Sequence, residues 1–200
     1  MMLHRETEYN QRSQGTRAKV AEPTVLEHIW PEKSYSYRNY VRQHCMSVRV
    51  VLKLDDDVVW NVDSMIKYLS QIDDGGNMVL HCRSQKRIFV VRNVTSRYLH
   101  PKEYPYRHFP EYCISGASAA TPQTIAALAE ASNTVPYVWI DDVWSLGLVP
   151  RKVGATFHSM PYGGIKGFFD PFLNGSVIAQ DFKRQEEGLY LFTQVNGKLL

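Results

Sequence analysis

The chain has 200 residues, of which 44% are hydrophobic and 22% are charged, and its formal net charge is +3. This is the composition of one globular domain, and the net charge is too small to argue by itself for a nucleic-acid partner. No run approaches the roughly 18 consecutive apolar residues that span a bilayer, and the polar residues 1–8 lack the apolar centre of a signal peptide.

Residues 1 to about 30 are polar and show no sustained apolar period. We therefore expect a loosely ordered lead-in over residues 1–33 and an ordered domain over residues 34–200. Residues 48–54 are short and rich in branched apolar side chains, which predicts a strand largely buried in a sheet.

Three carboxylates, Asp55, Asp56 and Asp57, follow that strand directly. In a partly desolvated crevice they would repel one another strongly, and a divalent cation such as Mn²⁺ or Mg²⁺ would remove the repulsion. Ligands of open α/β sheets bind beyond the carboxyl ends of the strands, so the pattern predicts a metal site that holds a phosphorylated ligand. The alternative is a solvated acidic loop.

The central part of the chain alternates between predicted elements and turns. Apolar residues at helical spacing predict a helix over residues 61–71, ended by a turn at residues 73–77. Residues 78–82 and 87–91 are predicted strands joined by a polar turn. Residues 92–111, dense in Tyr, Pro, Arg and His, are typical of a loop that lines a cleft. Residues 109–116 are interpreted as a turn whose small residues permit close approach of a ligand.

The last third begins with a helix whose N-cap is Thr121 and whose first helical residue is Pro122. A short strand or turn at residues 138–140 then precedes Asp141 and Asp142. Large apolar neighbours can raise the pKa of such a carboxyl and make it a general base, whereas the alternative is a helix N-terminus, where aspartate is favourable. Residues 189–195 are predicted as a strand, followed by an Asn-Gly turn.

The three cysteines contain no CxxC pair, so a structural zinc site is not expected. Their number permits one disulfide and one free thiol in an oxidising compartment, or three thiols in the cytosol. Asn93 and Asn174 begin Asn-x-Ser/Thr tripeptides, which makes them candidate glycosylation sites if the chain reaches the secretory lumen.

The order of several short motifs resembles the β-1,3-galactosyltransferase and β-1,3-N-acetylglucosaminyltransferase family over roughly residues 34 to 155. The matching segments are Ser36-Tyr37-Arg38-Asn39, Asp55-Asp56-Asp57-Val58 with Asn61-Val62, Tyr104-Pro105, Pro110-x-Tyr112-Cys113, Ile140-Asp141-Asp142-Val143 and Leu146-Gly147-Leu148. No single motif is decisive, but the order is hard to obtain by chance.

The resemblance implies an α/β GT-A-like fold, a central sheet flanked by helices, that binds a UDP-sugar donor across a Mn²⁺ (or Mg²⁺) ion. It implies an inverting hexosyltransferase of the Golgi apparatus that moves galactose or N-acetylglucosamine to a glycan or glycoprotein hydroxyl. In the family's pattern Asp55, Asp56 and Asp57 bind the metal and donor, and Asp142, or its neighbour Asp141, is the catalytic base. His158 is a further candidate metal ligand, with a structural histidine as the alternative.

The chain also departs from the family. Before the Ser-Tyr-x-Asn stretch, relatives have a membrane anchor and the first nucleotide-binding strands, and we expect this N-terminal part to be largely missing here. Relatives also have roughly two more helical turns between the late acidic motif and the Leu-Gly segment. The Tyr-Cys motif has one inserted residue. We therefore expect a shortened or divergent member of uncertain activity. The alternative function is an inactive remnant that binds a glycan or a protein. A nucleic-acid binder is a third hypothesis, although no nucleic-acid partner is expected. It is suggested by basic residues among tyrosines: Arg83, Lys86, Arg87, Arg92, Arg97 and Arg107.

Overall fold

A computed structural model of the chain describes residues 31–93, 97–163 and 169–197. The helices are α1 (Pro31–His44), α2 (Val62–Ser70), α3 (Pro122–Ser132), α4 (Asp141–Val143), α5 (Val149–Lys152), α6 (Asp170–Leu173) and α7 (Gln185–Asn196), with a π-helical turn at Trp144–Leu148 between α4 and α5. The strands are β1 (Val51–Leu54), β2 (Val58–Trp60), β3 (Val79–Gln85), β4 (Tyr112–Ala120), β5 (Thr156–Ser159) and β6 (Ala179–Asp181).

The fold is mixed α/β, with a central mixed sheet flanked by helices, in agreement with the predicted class. The strand order is β1-β4-β3-β5. Strand β4 is antiparallel to both β1 and β3, whereas β3 and β5 are parallel. Strands β1, β3 and β5 therefore run in one direction, and their carboxyl ends lie at the same edge of the sheet as the beginning of β4. Strands β2 and β6 form a separate antiparallel pair.

Several predicted elements are confirmed because their end signals are local. Helix α2 begins after Asn61, whose side chain accepts a hydrogen bond from the amide of Ser64. Helix α3 begins after Thr121, whose hydroxyl accepts from the amide of Thr124, and Pro122 is its first residue. In the described part of residues 92–111 the chain forms a loop, as predicted.

Four predicted elements differ in the structure. Residues 87–91 are not a strand: Arg87 has a φ of +56°, which interrupts an extended chain, and only an isolated bridge joins Phe89 to His108. The turn predicted at residues 109–116 is wrong, because β4 begins at Tyr112. The strand predicted at residues 189–195 lies in helix α7, where Leu191 is buried and Leu189 and Tyr190 are exposed. Strand β1 is half-buried at the edge of the sheet rather than buried.

The predicted boundary between the lead-in and the domain falls within helix α1. The structure describes a helix from Pro31, so residues 31–33 of the predicted lead-in belong to α1, while residues 1–30 lie outside the described residues. The expectation that the family's first nucleotide-binding strands are missing is not tested by the described residues.

The disulfide question that the sequence left open is resolved. Cys82 of β3 and Cys113 of β4 form a disulfide, and Cys45 is a free, half-buried thiol. Beside the disulfide the register of the two strands shifts. Cys82 faces Ser118 and Ser84 faces Cys113, so residues 114–117 of β4 lie opposite Arg83 alone. This bulge falls on the segment where the sequence has an inserted residue.

Candidate active site

The acidic turn joins β1 to β2 at one end of the sheet. The amide of Asp55 donates to the carbonyl of Gly116 at 2.9 Å, which holds the turn against the bulged part of β4. Asp55 is half-buried and its carboxylate contacts the ammonium of Lys53, whereas Asp56 and Asp57 are exposed. The three predicted residues therefore lie at a strand end, as expected.

A further carboxylate that the sequence did not reveal is Asp181. It ends β6, directly opposite Val58 in the register, and the amide of Phe182 donates to the carbonyl of Asp57 at 2.9 Å. Asp181 is buried, and its carboxylate accepts a hydrogen bond from the hydroxyl of Tyr162. A lone aspartate in a three-residue strand has no signal in the sequence; only the pairing of β6 with β2 brings it to this site.

The charges of this cluster act on one another. Burial raises the pKa of Asp181, the hydrogen bond from Tyr162 opposes that rise, and the negative charges of Asp57 and Asp55 add to it. Burial and the hydrogen bond to Asp181 also raise the pKa of Tyr162, so its phenol stays protonated. The positive charge of Arg83 also opposes the rise in the pKa of Asp181.

Gly116 is the position that allows this cluster to form. A Cβ atom built on it would lie 1.9 Å from the Tyr162 hydroxyl and 3.0 Å from Asp181 Oδ1. Any side chain there would displace Tyr162 from Asp181. The sequence suggested that small residues here permit close approach of a ligand, whereas in the structure Gly116 leaves room for the side chain of Tyr162.

In the part of the chain that is described, no three His, Cys, Asp or Glu side chains converge in an arrangement able to hold a metal ion. The chemistry of the donors nevertheless suits a divalent cation. Asp55, Asp57 and Asp181 offer hard carboxylate oxygens, and their mutual repulsion is the kind that such an ion relieves.

The second predicted acid pair lies at the first two positions of α4, after the N-cap Ile140, as the helix-N-terminus interpretation expected. Both carboxylates line a cavity of about 580 Å³. Its wall also contains one cation, Arg97, and apolar residues that are mostly aromatic: Ile88, Phe89, Val91, Phe109, Tyr112, Tyr137, Trp139, Ile140 and Val143. The predicted cleft-lining loop thus contributes to a real cavity.

The charges of the acid pair act on two tyrosines of the cavity wall and raise their pKa values. Burial raises the pKa of Tyr112, and the charge of Asp142 raises it further. Burial and the charge of Asp141 raise the pKa of Tyr137 in the same way. The indole N–H of Trp139 donates to the carbonyl of Tyr98 at 3.2 Å, which fixes that ring at the cavity wall.

Strand β4 connects the two acid sites. Its first residue, Tyr112, lies beside Asp142, and Gly116 lies beside the Asp55 turn. The four steps of strand from Tyr112 to Gly116 span at most about 14 Å, and both sites lie at the edge where β1 ends and β4 begins. Gly147 adds a close contact, because a Cβ there would lie 2.7 Å from Cβ of Tyr112.

His158 lies elsewhere. It is exposed on β5, with its ring 5.0 Å from that of His81, and the two residues face each other in the register. Strand β5 is three strand spacings from β1, or about 14 Å. The structure therefore groups His158 with His81, Tyr68 and Asp74 rather than with the acidic turn.

The glycosylation candidates differ in what the structure describes. Asn174 is exposed, and its Oδ1 accepts hydrogen bonds from the amide and the hydroxyl of Ser176, at 3.0 and 2.6 Å. Asn93 is exposed, but the two residues that complete its tripeptide lie outside the described residues.

Two of the basic residues behind the nucleic-acid hypothesis, Arg92 and Lys86, contact neighbouring groups of the chain. The guanidinium of Arg92 donates to the carbonyls of Leu99 and Tyr106, and Lys86 pairs with Glu111 at 3.2 Å. No described helix combines the length and the apolar character needed to cross a bilayer.

Comparison with known proteins gives one family. Residues 29–161 match the sequence model of the family described as Galactosyltransferase. Similar curated proteins include lactosylceramide 1,3-N-acetyl-beta-D-glucosaminyltransferase of Xenopus tropicalis, 26% identical over 70% of this chain and 38% of that protein. N-acetyllactosaminide beta-1,3-N-acetylglucosaminyltransferase 4 of Mus musculus is 27% identical over 68% of this chain and 38% of that protein. The chain thus spans well under half the length of these relatives.

Proposed function

Because the chain belongs to the galactosyltransferase family, we propose that it transfers a hexose, galactose or N-acetylglucosamine, from a UDP-sugar to a hydroxyl of a glycan or glycoprotein, with inversion. The observation that supports this most is the pairing of two acid sites along β4. One is a carboxylate cluster at a strand end, and the other is an acid pair on the wall of an aromatic cavity.

In this proposal the donor binds at the acidic turn. Asp55, Asp57 and Asp181 would hold Mn²⁺ or Mg²⁺, which, when bound, supplies the positive charge that neutralises a diphosphate leaving group. Tyr162 keeps the carboxylate of Asp181 hydrogen-bonded. Lys53 contributes an ammonium group beside Asp55, where the negative charge is concentrated.

The acceptor binds in the cavity, with its attacking hydroxyl at the acid pair. Asp142 is the proposed base. As the acceptor oxygen bonds to the anomeric carbon, the bond from that carbon to the diphosphate oxygen breaks, and the hydroxyl proton moves to the Asp142 carboxylate. Asp142 is the second residue of α4 and lines the cavity in which the acceptor would bind. The raised pKa of Tyr112 keeps its phenol protonated beside that carboxylate.

Aromatic walls suit a sugar acceptor. A cavity of about 580 Å³ falls in the range of small-molecule sites, about 300–1,000 Å³. Trp139 and Phe89, exposed by 41% and 59%, offer flat apolar faces to the C–H groups of a sugar ring, while Asp141 and Arg97 offer hydrogen-bonding groups.

The disulfide adds a proposed location. Cys82 and Cys113 are bridged, and such bonds persist in oxidising compartments. We accordingly assign the protein to the Golgi lumen, where its proposed acceptors are exposed. A GT-A arrangement of the donor site is part of the same proposal.

A non-catalytic glycan-binding protein is the second candidate, favoured by the fact that all cavity walls come from residues 88–143, independently of the acidic turn. Incubation with UDP-galactose or UDP-N-acetylglucosamine, Mn²⁺ and a lactosyl acceptor separates the two. Transfer predicts an acceptor heavier by one sugar residue in the mass spectrum, absent with Asp142→Asn. Acceptor binding without any such product in the wild type would favour the second candidate.

A further inference from the structure

A buried arginine with no assigned role lies behind the acid pair. Arg38 belongs to the Ser-Tyr-x-Asn stretch and is fully buried on α1. Its Nη1 donates to the hydroxyl of Ser132 at 3.0 Å, and its Nη2 donates to the carbonyl of Ser145 at 2.6 Å. The guanidinium therefore joins α1 to the end of α3 and to the π-helical turn.

The surroundings explain how a cation is tolerated there. Ser132 is the last residue of α3, so the guanidinium lies at the negative end of that helix. The ring of Tyr37 lies 5.8 Å from the guanidinium carbon, close enough for a cation–π interaction. The planar guanidinium reaches two acceptors in different elements, which an ammonium group cannot match.

The carbonyl of Ser145 needs this donor because of the local backbone. In the π-helical turn each carbonyl accepts from the residue five positions on, and the amide of Val149 donates to Trp144 in this way. The corresponding partner of Ser145 is residue 150, which is a proline without an N–H. Arg38 supplies the hydrogen bond that Pro150 cannot.

We infer that Arg38 is a positioning residue for the acid pair. Asp141 and Asp142 are the first two residues of α4, which continues through Val143 directly into the π-helical turn, so the path of that turn sets the direction of the two carboxylates. A buried carbonyl without a donor would make the turn unstable. Arg38 stabilises the π-helical turn, and thereby orients Asp142 toward the cavity. This inference rests on the proposed role of Asp142.

The test is a double-mutant cycle between Arg38 and Pro150. Arg38→Met removes the donor, whereas Pro150→Ala restores a backbone N–H that can reach the Ser145 carbonyl. We expect kcat to fall about 10- to 100-fold in Arg38→Met, because small displacements of a catalytic group cost that much, with the KM for the UDP-sugar unchanged. Adding Pro150→Ala should recover most of the lost turnover.

Arg42→Met is the matched control. Arg42 lies one turn further along α1, half-exposed, 3.7 Å from Glu130, and its removal should leave kcat unchanged. Normal kcat in folded Arg38→Met, or a double variant no better than Arg38→Met, would overturn the inference. If Arg38→Met does not fold, Arg38→Lys takes its place in the cycle with the same expected rescue.

Nuclear magnetic resonance (NMR) tests the positioning role of Arg38 without requiring that the protein transfer a sugar. If the wild type transfers no sugar, the proposed activity fails, but the amide resonances of Asp141 and Asp142 still report the turn. They should shift in Arg38→Met, stay in place in Arg42→Met, and return toward their wild-type positions when Pro150→Ala is added. Resonances that are unmoved by Arg38→Met would refute the positioning role.

Discussion

Gly116 provides the sharpest test of the carboxylate cluster. In Gly116→Ala the new methyl group would lie 1.9 Å from the Tyr162 hydroxyl and 2.7 Å from its Cζ, so the ring must move. Overpacking of this kind costs about 1–3 kcal/mol. Loss of the hydrogen bond to Asp181 costs about 1.5–3 kcal/mol more, because its acceptor is a buried carboxylate. Together these predict a loss of about 2.5–6 kcal/mol.

Thermal unfolding followed by circular dichroism measures this loss. A chain of this size loses about 2–4 °C of Tm per kcal/mol, so Gly116→Ala should unfold about 5–24 °C below the wild type. The control is the same change in a Tyr162→Ala background, where the steric conflict is already gone and the methyl group should cost little. An equal cost in both backgrounds, or no cost in either, would refute the reasoning.

Three further outcomes are expected. Burial raises the pKa of Asp181 above its ordinary 3.8, so as the pH falls the folded state binds a proton before the unfolded chain does, and without metal the stability should rise as the pH falls toward about 4. In melting curves Asp181→Asn should be more stable than the wild type at neutral pH and equal to it near pH 4. A difference that stays constant with pH would contradict this. Trp139→Ala should raise the acceptor KM about 3- to 10-fold in steady-state kinetics, with the donor KM unchanged, and a change in the donor KM alone would exclude the stacking role. When the protein is expressed in a secretory host, Asn174 should acquire a glycan that a glycosidase removes and that Ser176→Ala abolishes; an unaltered mass would show that the site is not used.

The parts of the fold that the sequence predicted have local causes. Thr121 and Pro122 mark the start of α3 through capping and a preset φ angle, and neither depends on the rest of the protein. The acidic turn and the acid pair could likewise be recognised in the sequence, because adjacent aspartates lie next to apolar segments. The family motifs added their order along the chain.

The missed features depend on contacts between distant segments. The apolar run of residues 189–192 has no alternation that distinguishes a strand from a helix, and packing of Leu191 in the core decides it. The first part of β4 was predicted as a turn because small residues are typical of turns. In the structure Gly116 is instead required because Tyr162 and Asp181 lie against this part of the strand. The burial of Arg38 has no signal in the local sequence, since its acceptors come from residues about 90–110 positions away.

The central claim is that the two acid sites divide the work of donor binding and proton removal. Calorimetric titration of UDP in the presence of Mn²⁺, with the wild type, Asp57→Ala and Asp142→Asn, tests it most directly. We expect metal-dependent binding by the wild type, none by Asp57→Ala, and unchanged binding by Asp142→Asn, whose turnover should still fall about 10²- to 10⁴-fold. Equal binding by Asp57→Ala and the wild type, or loss of binding in Asp142→Asn, would contradict it.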